Sequence, residues 1–321
     1  MGVRAAAPIF MRRLSLSLGS ILNGTPSTLR GMAFMLLSAL MLTGVNALIR
    51  EMSSELHPFE IAFFRNLFGF IVLLPVFWRR GLQPLRTGRL GLHAVRGIVH
   101  TTSSLMFFYA LSITPLAKAT ALKFSAPLFG TLLALMILGE ALRARRITAL
   151  VIGFAGTWVI LRPGIADVDL GSLLVLGSAA IFATAMVIIK VLSRTESSLT
   201  ITLYMGVFLS PLTLIAALPY WQMPSLEQLL WFAFMGAIGS IGQMCLAQAF
   251  KEADATAVFP FDFTKLLWAA VIGYFLFGEI PDAWTWLGGT MIFSAVAYIA
   301  YRENSIRTAR KSPSQSQDRT S

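Results

Sequence analysis

Long apolar runs dominate this chain and limit the folds that it can adopt. Ten runs have about the length of a membrane-spanning helix, for which about 20 consecutive apolar residues are enough. The runs are residues 31–49, 59–78, 92–112, 117–138, 147–161, 171–189, 199–219, 228–249, 255–277 and 283–301. The loops between them are short, so no room is left for a separate soluble domain.

The composition agrees with a membrane protein, since 56% of the residues are hydrophobic and 13% are charged. A soluble domain is about 45–50% apolar and about 25% charged. Backbone groups inside lipid must be hydrogen-bonded within the protein, which favours helices. Runs such as "LLALMIL" lack the alternation of barrel strands. We therefore predict an all-α membrane protein with ten transmembrane helices in a lipid bilayer.

The net charge of +11 has a topological explanation. If the N-terminus is cytoplasmic, 19 of the 26 Lys and Arg residues lie in cytoplasmic segments and three in outer ones. Such a bias is typical of the cytoplasmic side of membrane proteins, so no nucleic-acid partner is needed to explain the charge. We expect an integral protein of the inner (plasma) membrane with both termini cytoplasmic. Residues 1–30 would be a cytoplasmic leader and 302–321 a disordered cytoplasmic tail.

An internal repeat divides the ordered chain into two parts. At an offset of 140 residues, four pairs match: Gly31 with Gly171, Ser38 with Ser178, Ala39 with Ala179 and Arg50 with Lys190. "LMILGE" (135–140) matches "YFLFGE" (274–279) at an offset of 139. Several matches in one order indicate a duplication. The predicted units are residues 31–161 and 171–301.

Each unit holds five spans, and five is an odd number, so the second unit must enter the membrane from the opposite side. Two inverted-topology five-helix repeats are an architecture of secondary transporters, with the substrate near the bilayer midplane between the halves. The alternative is an old duplication that is retained only for packing.

Four segments carry a likeness to a known family: "IAFFRNLFGFIVLLP" (61–75), "VRGIVHTTSSLMFFYALSITPLAKATAL" (95–122), "FSAPLFGTLLALMILGE" (124–140) and "FPFDFTKLLWAAVIGYFLFGE" (259–279). They resemble the drug/metabolite transporter superfamily in its EamA-domain, ten-helix branch. The resemblance implies a secondary transporter that moves a small organic metabolite by alternating access. It suggests uptake of a riboflavin-like vitamin or of S-adenosylmethionine. Export of amino acids or drugs is the alternative within the family.

Ionisable residues inside the spans are the first candidates for a substrate site. A charged group within a bilayer is costly, so it faces the protein interior and often marks a transport pathway. The candidates for substrate binding on this ground are Arg65, Arg96, His100, Lys123, Asp262 and Lys265.

The stretch "FPFDFTKLLW" (259–268) concentrates these features. Lys265 lies one helical turn after Asp262 and can pair with it, and Arg96 at a similar depth is a second candidate partner. Pro260 and Pro127 are predicted to interrupt their helices beside these charges. Interrupted helices at matching places point to a transporter's binding site. The alternative is a buried ion pair that only fixes helix packing.

Uncharged residues complete the list of candidates. Phe261 could offer a stacking surface to a flat substrate, and Gln243 could line the cavity from span eight. Glu140 and Glu279 end spans four and nine in Gly-Glu pairs, and we expect them to act as boundary or gating elements.

Other classes of function receive little support from the sequence. Three histidines and one cysteine provide no evident metal site or nucleophile–base pair, so we expect no metal, no cofactor and no enzymatic activity. A membrane-embedded structural or assembly protein remains the alternative class, but it would not need charges at this depth. The sequence does not decide between a monomer and an oligomer.

The charge bias predicts that a reporter fused after residue 305 lies inside the cell and one inserted near residue 166 lies outside. Alkaline phosphatase and fluorescent-protein fusions measure this directly. The opposite pattern would contradict the inverted repeat.

Overall fold

The computed structural model describes residues 27–80, 87–138, 144–162, 168–192, 195–196, 198–253, 258 and 261–311. The regular structure in these residues is helical, so the fold is all-α. The helices are α1 (Ser27–Met52), α2 (Pro58–Arg80), α3 (Leu90–Ile113), α4 (Leu116–Lys123), α5 (Ala126–Leu138), α6 (Ala144–Leu161), α7 (Leu170–Leu192), α8 (Ser198–Ala217), α9 (Leu226–Glu252), α10 (Thr264–Phe277) and α11 (Ala283–Lys311).

The helices differ from the predicted spans at three places, one of which is the turn at Phe263 within the run 255–277, after which α10 begins. The run 117–138 is divided between α4 and α5, which are separated by Phe124 and Ser125. The last helix continues to Lys311, ten residues into the segment 302–321 that was predicted to be disordered. Residues 302–311 contain no Pro or Gly, so a helix that is already formed can propagate through them at little cost.

The surface of the helices is apolar enough for a bilayer. Among the described residues, three helical stretches are long and apolar enough to cross a membrane by length and composition: Ser27–Met52, Leu170–Ile189 and Leu226–Leu246. Large apolar side chains are exposed elsewhere too, including Trp158, Ile215 and Phe275, which is 77% exposed. Contiguous exposed apolar surface of this kind indicates contact with lipid or protein.

The main contacts between helices join residues distant in the sequence. The most extensive pairs are α1 with α9, α3 with α7 and α6 with α11, and α2 packs against both α8 and α9. Residues 27–162 and 168–311 therefore pack along their length and do not form separate globular units.

Glycines allow the closest of these approaches. A Cβ atom on Gly156 in α6 would lie 2.7 Å from the carbonyl oxygen of Gly288 in α11, and a Cβ on Gly288 would meet the carbonyl oxygen of Gly156. The two backbones are thus in direct contact, as in other membrane helix pairs with small residues at their interface.

Ion pairs join the two parts of the chain at one end of the bundle, which we call the Arg50 end. At this end Arg50 pairs with Glu279, Lys118 with Asp169 at 2.5 Å, and Arg162 with Asp282 at 2.5 Å. In each pair the cation belongs to residues 27–162 and the carboxylate to residues 168–311. At the opposite end, Arg30 pairs with Glu252 at 2.9 Å.

Two of these carboxylates also cap helices. Asp169 accepts a hydrogen bond of 2.7 Å from the backbone N–H of Ser172 at the start of α7, and Asp282 accepts one of 2.9 Å from Thr285 at the start of α11. Burial alone would raise the pKa of Asp169, but the hydrogen bonds from Lys118 and Ser172 outweigh it and lower that pKa. Burial would likewise raise the pKa of Asp282, but the hydrogen bonds from Thr285 and the positive charge of Arg162 outweigh it and lower that pKa.

The contact between Gly156 and Gly288 predicts that Gly156→Leu separates α6 from α11 and lowers thermal stability. Overpacking of a tight contact costs about 1–3 kcal/mol or more. The measurement is the melting temperature of the detergent-purified protein by size-exclusion chromatography after heating. Gly44→Ala is the matched control, because a Cβ on Gly44 in α1 has no atom within 4 Å. Equal melting temperatures for Gly156→Leu and Gly44→Ala would contradict the contact.

Candidate functional site

A central cavity of about 560 Å³ lies between the two parts of the chain. Its wall is built from α1, α2, α3, α4, α5, α7, α9 and α10, together with the residues between α4 and α5 and those just before α10. Six of the predicted substrate-binding residues line it: Arg65, His100, Lys123, Gln243, Asp262 and Lys265. Pro127, predicted to interrupt a helix, lines it as well.

Lys123 projects into this cavity from the last residue of α4. Its Nζ donates a hydrogen bond of 2.9 Å to the hydroxyl of Ser178 in α7. It also lies 4.5 Å from the ring centroid of Phe107 and 5.3 Å from that of Phe182. Ser178 is fixed in turn, because its carbonyl accepts a bond of 2.7 Å from Ser103 in α3. Lys123 is therefore held by aromatic faces and a neutral hydroxyl.

Arg65 approaches the same region from α2. Its Nη1 donates a hydrogen bond of 3.1 Å to Oδ1 of Asn66, and its guanidinium lies 5.7 Å from the ring centroid of Phe108. Phe107 and Phe108 are consecutive residues of α3, so the two cations meet neighbouring rings on one helix. Cation–π contacts stabilise such groups modestly.

Lys265 and Asp262 form an ion pair of 2.5 Å at i, i+3 spacing, and their side chains are 22% and 19% exposed. This is the pairing that the sequence predicts for them. Both residues line the cavity, so the pair forms part of its charged wall.

Matching breaks in two helices flank the cavity. Phe124 and Ser125 follow α4, and 139 residues later Phe263 immediately precedes α10 and Thr264 is its first residue. The Ser125 hydroxyl donates to the carbonyl of Leu122 at 2.7 Å, and the Thr264 hydroxyl donates to that of Phe261 at 2.6 Å. The rings of Phe124 and Phe263 lie 5.7 Å apart. The two breaks thus repeat one local structure and touch each other.

Two prolines, Pro127 and Pro260, were predicted to cause these breaks, and the structure describes only the first of them. Pro127 lies in the first turn of α5, where the absent N–H has no partner within the helix anyway. Pro260 and the second proposed gating residue, Glu140, lie outside the described residues. His100 packs edge-on against Phe182 at 5.4 Å, and Gln243 is exposed on α9.

Arg96 and Phe261 do not line this cavity. Arg96 is buried, and its Nη1 donates a hydrogen bond of 2.8 Å to the carbonyl of Ile201 in α8, so its role as a partner of Asp262 is not seen. At this level α3 packs tightly on α8, with Gly97 against Phe208, and the α8 backbone is the nearest acceptor. Phe261 packs against the cluster of Met35, Ala249 and Val258.

Glu279 lies at the Arg50 end and joins three elements. Besides pairing with Arg50 of α1, it accepts a hydrogen bond of 3.0 Å from the backbone N–H of Leu116, the first residue of α4. It also lines a second cavity of about 320 Å³ with Lys118, Arg162 and Asp282. Its contacts therefore connect α10 to both α1 and α4.

The contribution of α7 to the site was not predicted from the sequence. Ser178, which binds Lys123, and Phe182, which meets both Lys123 and His100, were not singled out as site residues. One signal was available, because Ser178 matches Ser38 in the repeat. In the described part of the chain, no three His, Cys, Asp or Glu side chains form a cluster that could hold a metal ion.

The partly buried position of the Asp262–Lys265 pair predicts that Asp262→Asn lowers stability, by less than the roughly 3–5 kcal/mol of a fully buried pair, since it leaves the lysine charge uncompensated. The double change Asp262→Asn with Lys265→Gln should recover most of that loss. The readouts are monodisperse yield and melting temperature in detergent. A double variant that is as unstable as the single one would show that the pair is not the relevant interaction.

Comparison with known proteins gives a consistent result. The EamA-like transporter family matches residues 29–162 and again residues 169–301. The chain is 33% identical to an S-adenosylmethionine uptake transporter of Rickettsia bellii over 85% of this chain and 94% of that protein. It is 32% identical to a riboflavin transporter of Vibrio cholerae, covering 86% of this chain and 94% of that protein.

A solved crystal structure also shares the fold. Its TM-score is 0.56 at 19% identity, and the match covers 84% of this chain and 95% of that one. With the two family matches, the cavity between the halves and the apolar helix surfaces, these findings establish that the chain is an integral membrane protein belonging to the EamA-like transporter family, within the drug/metabolite transporter superfamily.

Proposed function

We propose that this protein takes up a small organic metabolite with a planar ring across the inner membrane, and that the substrate binds in the central cavity. The observation that carries the proposal is a cavity of about 560 Å³ whose wall combines charged groups with the rings of Phe107, Phe108, Phe124 and Phe182. Aromatic faces of this kind stack on flat ligands.

The names of the relatives narrow the class of substrate. S-adenosylmethionine and riboflavin are the named substrates of the relatives in Rickettsia bellii and Vibrio cholerae. Both molecules contain a planar heteroaromatic ring system with hydrogen-bonding edges. A third relative, the pseudopaline exporter of Pseudomonas aeruginosa, is 28% identical. The chain is more similar to the S-adenosylmethionine uptake transporter, at 33% identity, than to this exporter, which favours uptake over export.

The proposed architecture is ten spans in two inverted repeats, with α4 and α5 counted as one span. Contacts between helices support it. When each span is replaced by the span that occupies the same place in the other repeat, one pair of contacting helices is converted into another pair that is also in contact. The pair α1–α9 exchanges with α7–α3, and α2–α9 exchanges with α8–α3. The pairs α2–α8 and α6–α11 map onto themselves. The two family matches and the repeated helix break support the same arrangement.

Transport would proceed by alternating access, with the two halves rocking around the cavity. We assign the Arg50 end to the outer face, in agreement with the charge bias of the loops. The three ion pairs at this end cross between the halves and hold it together. Glu279 is the proposed gating residue there, because opening this end separates its carboxylate from Arg50 or from the N–H of Leu116.

The test is uptake by the purified chain in proteoliposomes. Labelled riboflavin and S-adenosylmethionine are offered with and without an inward proton gradient, and protein-free liposomes serve as the blank. We expect time-dependent accumulation of one of the two. A structural or assembly protein would give none. The proton-gradient arm distinguishes coupled uptake from facilitated diffusion.

The doubly neutralised variant Asp262→Asn with Lys265→Gln provides the site-specific arm. We expect it to be folded and to transport poorly, because the charged wall of the cavity is altered. Transport at the wild-type rate by this variant would assign the pair to packing and place the substrate elsewhere.

A further inference from the structure

The charges that line the central cavity are not balanced. Three cations, Arg65, Lys123 and Lys265, line it together with one carboxylate, Asp262. Asp262 is already paired with Lys265. Within the described residues, neither Arg65 nor Lys123 has a carboxylate partner. The cavity therefore carries an excess of positive charge on the side of α2 and α4.

The groups around these two cations are neutral. Lys123 contacts the Ser178 hydroxyl and two phenylalanine rings, and Arg65 contacts the Asn66 amide and one ring. Glu60, the nearest carboxylate in sequence on α2, is fully buried and accepts a hydrogen bond from the backbone N–H of Gln222 instead. Cations within a membrane protein are usually paired with a counter-charge or with carbonyls. The missing partner is thus an anion that enters the cavity.

We infer that the substrate presents an oxyanion, a carboxylate in the first place, to Arg65 and Lys123 while its planar ring lies against Phe107 and Phe108. This inference rests on the proposed transport function and narrows its substrate class. The two rings are consecutive residues of α3 and each contacts one of the cations. A ligand with a flat ring and an attached acid would therefore meet both features within one turn of helix.

The inference separates the two substrates named for the relatives. S-adenosylmethionine carries an α-carboxylate, and riboflavin has no ionised group at neutral pH. An arginine guanidinium binds a carboxylate by charge-assisted hydrogen bonds, which are stronger than bonds between neutral groups. The α-carboxylate of S-adenosylmethionine can therefore pair with Arg65 or Lys123, although its ammonium and sulfonium groups meet the same excess of positive charge, whereas riboflavin has no group that makes this pair.

The first experiment measures thermal stabilisation of the purified wild-type protein by matched compounds. S-adenosylmethionine is compared with decarboxylated S-adenosylmethionine, and riboflavin with riboflavin 5′-phosphate. In a pair that binds, we expect the compound with the oxyanion to reach half of its maximal thermal stabilisation at about tenfold lower concentration than its partner. One charge-assisted hydrogen bond accounts for a difference of this size. The two pairs distinguish a carboxylate from a phosphate. Equal potency within each binding pair would overturn the inference and leave the transport function standing.

The second experiment uses variants of the two cations. If either cation is replaced by glutamine, in Arg65→Gln or Lys123→Gln, the two compounds of a pair should become nearly equal in potency. The charge-conserving variants Arg65→Lys and Lys123→Arg should retain part of the preference for the compound with the oxyanion. Arg89→Gln is the control, since it removes a charge from an exposed position outside the cavity. Full discrimination by both glutamine variants would contradict the assignment.

Two other outcomes are decisive as well. Should a glutamine variant fail to fold, the wild-type comparison alone decides, because it needs no substitution. Stabilisation by chloride or sulfate, with no preference among the organic pairs, would reduce the site to a counter-ion site and overturn the inference. Failure of every compound to bind or to be transported would remove the proposed function and this inference with it.

Discussion

The cost of an ionised side chain in a low-dielectric medium governs the interior of this protein. Charges inside a bilayer must turn toward protein or water, and each needs compensation. The structure supplies it in different ways: Asp262 for Lys265, a backbone carbonyl for Arg96, and rings with neutral dipoles for Arg65 and Lys123. Apart from the Ile201 carbonyl that binds Arg96, the compensating groups belong to polar or aromatic residues that contact the cations of the central cavity.

Two of the three ion pairs at the Arg50 end are more exposed than the pair in the cavity. Lys118–Asp169 and Arg162–Asp282 have side chains that are 22–42% exposed, and exposed pairs of this kind contribute about 0–1 kcal/mol. Such pairs can break and re-form at little cost. Asp262–Lys265 is more buried, so separating it costs more. Burial does not distinguish every pair between the two parts of the chain from the pair within one part, because the side chains of Arg50 and Glu279 are only 17% and 18% exposed.

Features local in sequence could be predicted, and those that depend on packing between distant helices could not. The helices follow from apolar runs, and the Asp262–Lys265 pair follows from i, i+3 spacing. The position of Arg96 in its span does not reveal that α8 lies against that face of α3 and accepts its hydrogen bond. Ser178 and Phe182 reach Lys123 only because α7 packs on α4, a contact between residues 55 and 59 positions apart. Residues 302–311 show the reverse error, since polar composition suggested disorder where a preceding helix simply continues.

The two helix breaks explain why one lysine of the cavity has a carboxylate and the other does not. A helix carries a partial negative charge at its C-terminus and a partial positive charge at its N-terminus. Lys123 is the last residue of α4, where that field favours a cation, whereas Lys265 lies in the first turn of α10, where it is unfavourable. Asp262, 139 residues after Lys123 and just before α10, suits the opposite field and neutralises Lys265. The first break thus carries a lysine without a carboxylate partner and the second a neutral ion pair, so Lys123 is available to a ligand anion whereas Asp262 is committed to Lys265.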